Sequence, residues 1–462
     1  MTPLWTSREL AAACRGKASS SFSVSGVAYD SREVGSGDLF VALKGDNTDG
    51  HRFLDKAFAN GAAGALVSEP TDYPHVMVPD TARALDDLAR AARARVDARI
   101  IGVTGSAGKT GTKEALFAAL DRFAAGHVHR SVKSYNNHVG VPLSLSRMAP
   151  DTRFGILEMG MNHPGELAML TRLVRPHVAI VTTIAPAHVE FFPDEAAIAD
   201  AKGEIFQGLE PGGVAIIPFD SPHCDRLRKA AEPYAARIVT FGLNEGADVR
   251  ALDRVDATGG GSLVTARIGE KLLCYTISAP GAHWVANSLA VLAAVDAVGG
   301  DLASAGLALA EMEGLPGRGK RHQLQVDGGE VLLIDESYNA NPASMAATIG
   351  QLGREKAERR LVVLGGMKEL GDKSDALHLG LAVPLALAKV DFAILVGAEM
   401  KNLGERLAAG LEGPVKFAHC DNIDEAQALL LAALQPGDAV LVKGSNSVGL
   451  SKLVAAMTTG RN

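Results

Sequence analysis

Between residues 99 and 124 the chain reads RIIGVTGSAGKTGTKEALFAALDRFA, a short β-branched run that breaks into a glycine loop and then takes on helical apolar spacing. Ile100, Ile101 and Val103 predict a buried strand, while Leu116, Leu120 and Phe123, at i, i+4 and i+7, predict one face of a helix. A loop joining such a strand to such a helix aims its backbone N–H groups at the helix N-terminus, where the peptide dipoles also favour anions. Gly105, Ser106, Ala107, Gly108, Lys109, Thr110 and Gly111 are therefore the expected polyphosphate cradle, with Lys109 a mobile cation and Thr110 a hydroxyl for Mg²⁺. The pattern G-x-x-x-x-G-K-[ST] would put glycine at 103. The chain has Val103, so the loop is the shorter form T-G-x-x-G-K-T.

A single core rarely serves a chain of 462 residues, and about three domains are expected. Apolar residues, 47% of the total, suffice to bury them. The net charge of −7 and the lack of a Lys/Arg block argue against nucleic acid as the main partner and for a small one. Cys14, Cys224, Cys274 and Cys420 are far apart, with no C-x-x-C, which predicts free thiols in a reducing compartment. The start MTPLWTSREL lacks a basic segment leading into an apolar stretch, and the apolar region 380–398 is interrupted by Lys389 and Asp391. Cytoplasmic localisation without membrane insertion is expected.

Along the chain, residues 1–95 combine short strands (24–29, 39–43, 65–67, 76–78) with helices near 52–60 and 81–95, a small α/β domain. Residues 96–314 add strands at 155–158, 178–183, 214–218 and 238–241 to the glycine-loop strand, separated mostly by helices, which predicts a mainly parallel sheet covered on both faces. A strand-rich stretch at 248–278, turning at Gly259-Gly260-Gly261, predicts antiparallel additions, with helices at 283–298 and 302–312 after it. Gly314-Leu315-Pro316-Gly317 reads as a hinge. From 315 to 462, strands at 331–334, 361–364, 392–396, 415–418 and 439–442 alternate with helices, a second doubly wound, Rossmann-like domain.

Polar groups collect at strand ends of the middle region. Glu158 closes the strand in FGILEMGMNHPGE, where a carboxylate can hold the Mg²⁺ of a nucleotide in the loop. His188, shortly after the strand VAIVTTI, is a candidate ligand or orienting base, and Lys202 sits among acidic residues on an expected helix. Taken singly, these three read equally as a solvated acid, a structural histidine and a surface lysine.

Taken together they match a family. YNNHVGVP (135–142), LEMGMNHPGE (157–166), AHVEFF (187–192) and AKGEIF (201–206), in that order behind TGSAGKT, resemble the Mur ligases of peptidoglycan synthesis, as do ESYNANP (336–342) and VKGS (442–445). The resemblance covers essentially the whole chain. It implies three domains, for the UDP-linked substrate, for ATP and for the incoming amino acid or dipeptide. Within the family, SYNANP marks the branch that adds D-alanyl-D-alanine to UDP-N-acetylmuramoyl-tripeptide, and the D-N-P-R motif of the diamino-acid-adding branch is absent.

The resemblance also assigns roles. Glu158 and His188 would bind magnesium, with Thr110 in the same shell, and Lys202 would be the lysine carbamylated by CO₂, which turns a cation into an oxygen-bearing anion able to support a metal. Asn137 resembles the asparagine near the phosphates, Asn287 the one that contacts adenine, Arg318 the arginine that approaches ATP from the hinge, and Asp335 the ribose-binding acid. Trp284 and Asn446 depart from the family pattern, which commonly has asparagine and arginine there. Tyr338, Asn339, Asn341, Lys443 and Ser445 fall in the dipeptide region, as local architecture or contacts. Ser31, Arg32 and Lys44, in DSREVGSGDLFVALKG, resemble the uridine-nucleotide cradle, where the two cations would offset diphosphate charge.

The implied reaction is ATP-driven amide formation on a monomer, with two magnesium ions. A carboxylate cannot readily expel oxide, and phosphorylation converts that oxygen into a leaving group; Lys109, Arg318 and magnesium would offset the charge on the transferring phosphoryl. A P-loop motor ATPase would not account for the flanking α/β domains, and a silent scaffold would be expected to have lost Lys109, Glu158 or Lys202.

Overall fold

The computed structural model describes residues 3–45, 48–186, 190–256 and 261–459. Its strands form three large α/β sheets and one small β-ribbon. The first sheet runs Lys17–Ala18, His75–Met77, Gly64–Val67, Asp38–Val41, Gly26–Ala28, and is parallel except at its first strand. The run read as one strand over 24–29 is broken at Ser25: Ser23–Val24 pairs antiparallel with Trp5–Thr6 in the ribbon, while Gly26–Ala28 joins the sheet. Helix Ser7–Cys14, not expected from its short apolar spacing, is set by a capping box in which Thr6 and Glu9 satisfy each other's backbone N–H groups.

The middle sheet has nine strands. Seven are parallel, in the order Val249–Asp256, Arg237–Gly242, Val214–Pro218, Val178–Val181, Arg99–Thr104, Phe154–Glu158, Val128–Arg130; Ser262–Ile268 and Lys271–Ile277 extend it antiparallel. The turn at 259–261 lies mostly outside the described residues. One face is covered by helices Lys109–Phe123, Ala282–Ala297 and Leu302–Glu311, whose Leu116, Leu120, Leu289 and Leu309 are buried. Phe123 does not join that core: it is 40% exposed, against Phe154 at 6.1 Å, and Ala115 and Ala119 occupy the inner face instead. The fifteen-residue helix presents small residues inward because it must also pack Ala282–Ala297 and Leu302–Glu311 closely.

The last sheet runs Lys320–Val326, Gly329–Glu336, Ala439–Lys443, Arg360–Gly365, Phe392–Val396, Lys416–Cys420. Five parallel strands match the expected repeats; Lys320–Val326, a hairpin partner of Gly329–Glu336 and mostly polar, adds an antiparallel edge. The apolar stretch near 390 is helix Ala382–Leu387 followed by strand Phe392–Val396, and among the described residues no helix is long and apolar enough to cross a membrane. Cys14, Cys224, Cys274 and Cys420 are free.

Candidate functional site

In the middle sheet the strands Arg99–Thr104, Phe154–Glu158 and Val178–Val181 are neighbours in register, Glu158 beside Val103 and Val181 beside Thr104. Their carboxyl ends open into one crevice, the place where open α/β sheets bind ligands. The glycine loop fills its floor. Gly105 and Gly108 both have positive φ, and a Cβ on Gly105 would lie 1.9 Å from Thr182 Oγ1, one on Gly108 2.9 Å from Asn287 Oδ1. The loop is braced by the following strand end: Ser106 N–H donates to the Thr183 carbonyl at 2.7 Å, Ala185 N–H to Ser106 Oγ at 3.1 Å, and Thr182 Oγ1 to the Ala107 carbonyl at 2.5 Å. Lys109 Nζ donates to the Gly105 carbonyl at 2.7 Å. Burial lowers its pKa and the nearby Arg318 charge lowers it further, while Glu158 opposes both. Ala107 and Gly111 complete the loop, with the Trp284 ring packed over Gly111.

Glu158 is the centre of the crevice. It is 1% exposed, and Thr110 Oγ1 donates to its Oε2 at 2.9 Å while Asn136 Nδ2 donates to its Oε1 at 2.8 Å. Lys113 Nζ, completely buried, lies 3.8 Å away and donates to the carbonyls of Ser131 and Lys133 at 3.0 and 2.6 Å. A carboxylate beside a hydroxyl at a phosphate loop is an oxygen donor set suited to Mg²⁺, and the carboxylate's remaining lone pairs can serve a metal. Asn137 is turned elsewhere: its Oδ1 accepts the N–H groups of Val139 and Gly140 at 3.2 and 2.9 Å and starts helix Gly140–Ser146. Its neighbour Asn136 touches the acid instead.

Lys202, on helix Glu195–Gly203, is 1% exposed; its carbonyl accepts Glu204 N–H, and its Nζ has no hydrogen-bond or ion-pair partner among the described residues. Burial pushes its pKa well below the ordinary lysine value, and the Lys109 charge adds to the effect. His188 lies outside the described residues.

The hinge closes the crevice from the side. Arg318 NH2 donates to Ser134 Oγ at 3.2 Å and its guanidinium lies over the Tyr338 ring at 4.4 Å. Asp335, 4% exposed, accepts Gly317 N–H at 2.6 Å and Ser337 N–H and Oγ–H at 3.1 and 2.6 Å, so this acid holds the hinge turn. A cavity of about 440 Å³, lined by His283, Trp284, Arg318 and Glu336 among others, lies between hinge and helix Ala282–Ala297. Asn287 is buried on that helix, facing Gly108.

In the last sheet three strand-end loops are cross-linked. Lys443, 2% exposed, donates to Glu336 Oε2 at 3.2 Å and to the Asn339 carbonyl at 3.0 Å. Ser445 Oγ accepts Lys368 N–H at 3.0 Å. Asn339 Oδ1 accepts Ala340 N–H, and Asn341 caps helix Pro342–Leu352 through Ser344 N–H at 2.8 Å. These side chains shape the loop that presents Tyr338.

In the first sheet, Ser31 and Arg32 follow strand Gly26–Ala28 and Lys44 follows its parallel neighbour Asp38–Val41, which brings all three to one edge. Ser31 is buried, with its carbonyl accepting from Asn60 Nδ2 at 2.7 Å. Arg32 pairs with Asp30 at 2.6 Å and Lys44 with Glu69 at 2.7 Å.

Sequence reading passed over Lys113, Asn136 and Thr182. Lys113 carried a signal: it lies one helical turn beyond Lys109, on the side of Thr110's helix that other buried residues occupy. Asn136 sat in the motif YNNHVGVP, from which Asn137 was chosen instead, and Thr182 carried no signal, because its role depends on where two loops meet.

Residues 103–295 match the Mur ligase middle domain, 318–446 the Mur ligase glutamate ligase domain, and 23–99 the Mur ligase family catalytic domain. The UDP-N-acetylmuramoyl-tripeptide–D-alanyl-D-alanine ligase of Escherichia coli strain K12 is 35% identical over 93% of each chain. The crystal structure of MurF from Acinetobacter baumannii superposes with a TM-score of 0.84 at 30% identity over 99% of both chains, and that of MurF from Thermotoga maritima in complex with ADP with 0.76 at 28% over 94% of this chain and 96% of that one. With family matches along most of its length and this identity from end to end, the chain belongs to the Mur ligase family.

Proposed function

We propose that this chain uses ATP to join the carboxylate of UDP-N-acetylmuramoyl-tripeptide to the amine of D-alanyl-D-alanine, giving the UDP-N-acetylmuramoyl-pentapeptide of peptidoglycan precursor synthesis, ADP and phosphate. What carries the reading is the gathering of Lys109, Glu158, Lys202 and Arg318 about one strand-end crevice, in a chain alike from end to end to an enzyme named for that reaction. Residues 1–95, with Ser31, Arg32 and Lys44, take the UDP end; residues 96–314 take ATP; residues 315–462 take the dipeptide at the loops of Tyr338, Asn339, Asn341, Lys443 and Ser445.

Lys109 leaves the Gly105 carbonyl for the phosphates, and Arg318 approaches the same charge from the hinge, in a crevice where partial desolvation strengthens both contacts. The tripeptide carboxylate oxygen forms a bond to the γ-phosphorus as the bond to ADP breaks. The neutral dipeptide amine then attacks the acyl carbon, the C–O bond to phosphate breaks, and the nitrogen gives up one proton, which ends on the departing phosphate as HPO₄²⁻. The cavity beside His283 and Trp284 is of a size usual for small ligands and suits the nucleoside; Asn287, on the same helix, faces Gly108 of the phosphate loop. Magnesium, held by Thr110, Glu158 and His188, would supply charge neutralisation at the phosphates. Lowering the pKa of a buried lysine favours its neutral amine, the form that adds to CO₂; carbamylation at Lys202 converts that buried amine into an anion that relieves the Lys109 charge. Asp335 and Asn137 act by holding the hinge and the helix beside the phosphates. We place the reaction in the cytoplasm, whose reducing conditions the four free cysteines fit, and on a monomer, because the groups named above come from one chain.

The test is to supply ATP, Mg²⁺ and UDP-N-acetylmuramoyl-tripeptide with D-alanyl-D-alanine, D-alanine, a diamino acid or glutamate, and to identify products by mass. Pentapeptide from the dipeptide alone is expected. Equal use of glutamate or the diamino acid would contradict the assignment.

A further inference from the structure

Residues 131–137, Ser-Val-Lys-Ser-Tyr-Asn-Asn, leave strand Val128–Arg130 and touch all three α/β parts of the molecule. On one side they hold Glu158: Ser131 Oγ accepts its N–H at 3.0 Å, Asn136 donates to its carboxylate, and the carbonyls of Ser131 and Lys133 fix the ammonium of Lys113 beside it. On a second side Ser134 accepts from Arg318 of the hinge. On the third, Lys133 Nζ forms an ion pair with Glu33 and Tyr135 OH donates to both Glu33 oxygens at 2.8 Å.

Two details single out the third contact. Lys133 has φ of +53°, a left-handed conformation that costs a side-chain-bearing residue energy and persists only where surroundings impose it. In that conformation the Lys133 carbonyl accepts from Lys113 while its ammonium pairs with Glu33. The Lys133 side chain is 58% exposed, and such an ion pair adds little to stability. Its consequence is positional. Glu33, in turn, shares one turn with Arg32: Glu33 N–H donates to the Asp30 carbonyl at 2.9 Å, Arg32 N–H donates to Asp30 Oδ1 at 2.9 Å, and the Arg32 guanidinium pairs with the same carboxylate. An anion that draws the Arg32 guanidinium from Asp30 removes one of the two groups, guanidinium and backbone N–H of Arg32, that hold the Asp30 carboxylate in the turn beside Glu33.

We propose that Glu33, Lys133 and Tyr135 link the Arg32 turn to Glu158, so that Glu33 is a positioning residue through which a bound UDP-diphosphate organises the nucleotide site. The inference rests on the reading above of Arg32 as part of the UDP cradle and of Glu158 as part of the ATP site. Linkage requires reciprocity: the UDP substrate tightens nucleotide binding by the factor with which nucleotide tightens the UDP substrate.

The experiment is calorimetric titration of ADP with Mg²⁺ into the full chain, with and without saturating UDP-N-acetylmuramoyl-tripeptide. For the native chain, ADP is expected to bind on the order of tenfold tighter when the UDP substrate is present. In Lys133→Met that ratio should fall to about 1, in Tyr135→Phe to an intermediate value, and in Lys133→Arg it should be largely kept. A purely structural defect would weaken ADP binding equally in both titrations and leave the ratio unchanged. A native ratio of 1, or a Lys133→Met ratio equal to the native one, overturns the linkage while the proposed function stands. Failure of the native chain to bind the UDP substrate at all overturns that function and the linkage with it.

Discussion

Thr110 and Glu158, 48 residues apart, meet in a 2.9 Å hydrogen bond that joins the first turn of the P-loop helix to the end of the neighbouring strand. The bond is buried, and the same carboxylate stands 3.8 Å from the sequestered Lys113 ammonium. One acid thus orders a hydroxyl, an amide and a cation at the mouth of the phosphate loop.

Glu158→Gln should therefore do two things. Turnover should fall by at least about 100-fold, as when a preorganised charge at a reacting centre is lost. Stability should fall by about 2 kcal/mol, because Lys113 keeps its carbonyl partners and Glu114 but loses a buried counter-charge. Denaturant midpoints and steady-state rates check both; turnover within tenfold of the native chain would remove Glu158 from the site.

Lys202→Ala should be nearly inactive, and a short carboxylic acid such as formate should restore part of the rate by occupying the space of the carbamate. Stability should not fall by the several kcal/mol of a lost buried salt bridge, since among the described residues Lys202 has no such partner. Full activity without added acid would exclude a carbamate.

Asp335→Asn replaces an acceptor with a group that can turn an NH₂ toward Gly317 N–H or Ser337. A cost of about 1–3 kcal/mol is expected from the unsatisfied donor, with a raised KM for ATP because the hinge carries Arg318. An unchanged melting curve with a raised KM would instead make Asp335 a direct nucleotide contact.

The pH dependence has a specific source in His129. Burial holds its pKa down at about 4, from an ordinary 6.5, although the Ser144 carbonyl that takes its Nε2–H at 2.7 Å pulls the other way. Well above pH 6.5 neither the folded nor the unfolded chain carries this proton. Between 6.5 and about 4 the unfolded chain takes it up and the folded one does not, so stability drops as the pH falls. In His129→Gln the slope of denaturant midpoint against pH across that window should be shallower. A slope equal to the native one would show that His129 is not the group.

The strand, loop and helix around Lys109 were legible because three independent signals coincide there: β-branched residues, glycines where the chain must turn, and helical spacing. Four of the parallel strands of the last sheet, Gly329–Glu336, Arg360–Gly365, Phe392–Val396 and Ala439–Lys443, were legible for a related reason, since buried parallel strands are continuous apolar runs. Strands Lys320–Val326 and Val128–Arg130 escaped because edge strands are half polar and resemble loops. At the site, Lys109, Thr110 and Glu158 could be named from their neighbours along the chain. That Asn136 touches Glu158 while Asn137 accepts from the backbone N–H groups of Val139 and Gly140 depends on which way one loop turns, and adjacent asparagines cannot reveal that.

The central claim is that this crevice activates a carboxylate as an acyl phosphate before an amine displaces the phosphate. UDP-N-acetylmuramoyl-tripeptide labelled with ¹⁸O in its reacting carboxylate, turned over with ATP and D-alanyl-D-alanine, tests it by mass spectrometry of the released phosphate. One labelled oxygen in each phosphate, formed together with pentapeptide, is the predicted result. Unlabelled phosphate accompanying the pentapeptide would contradict it.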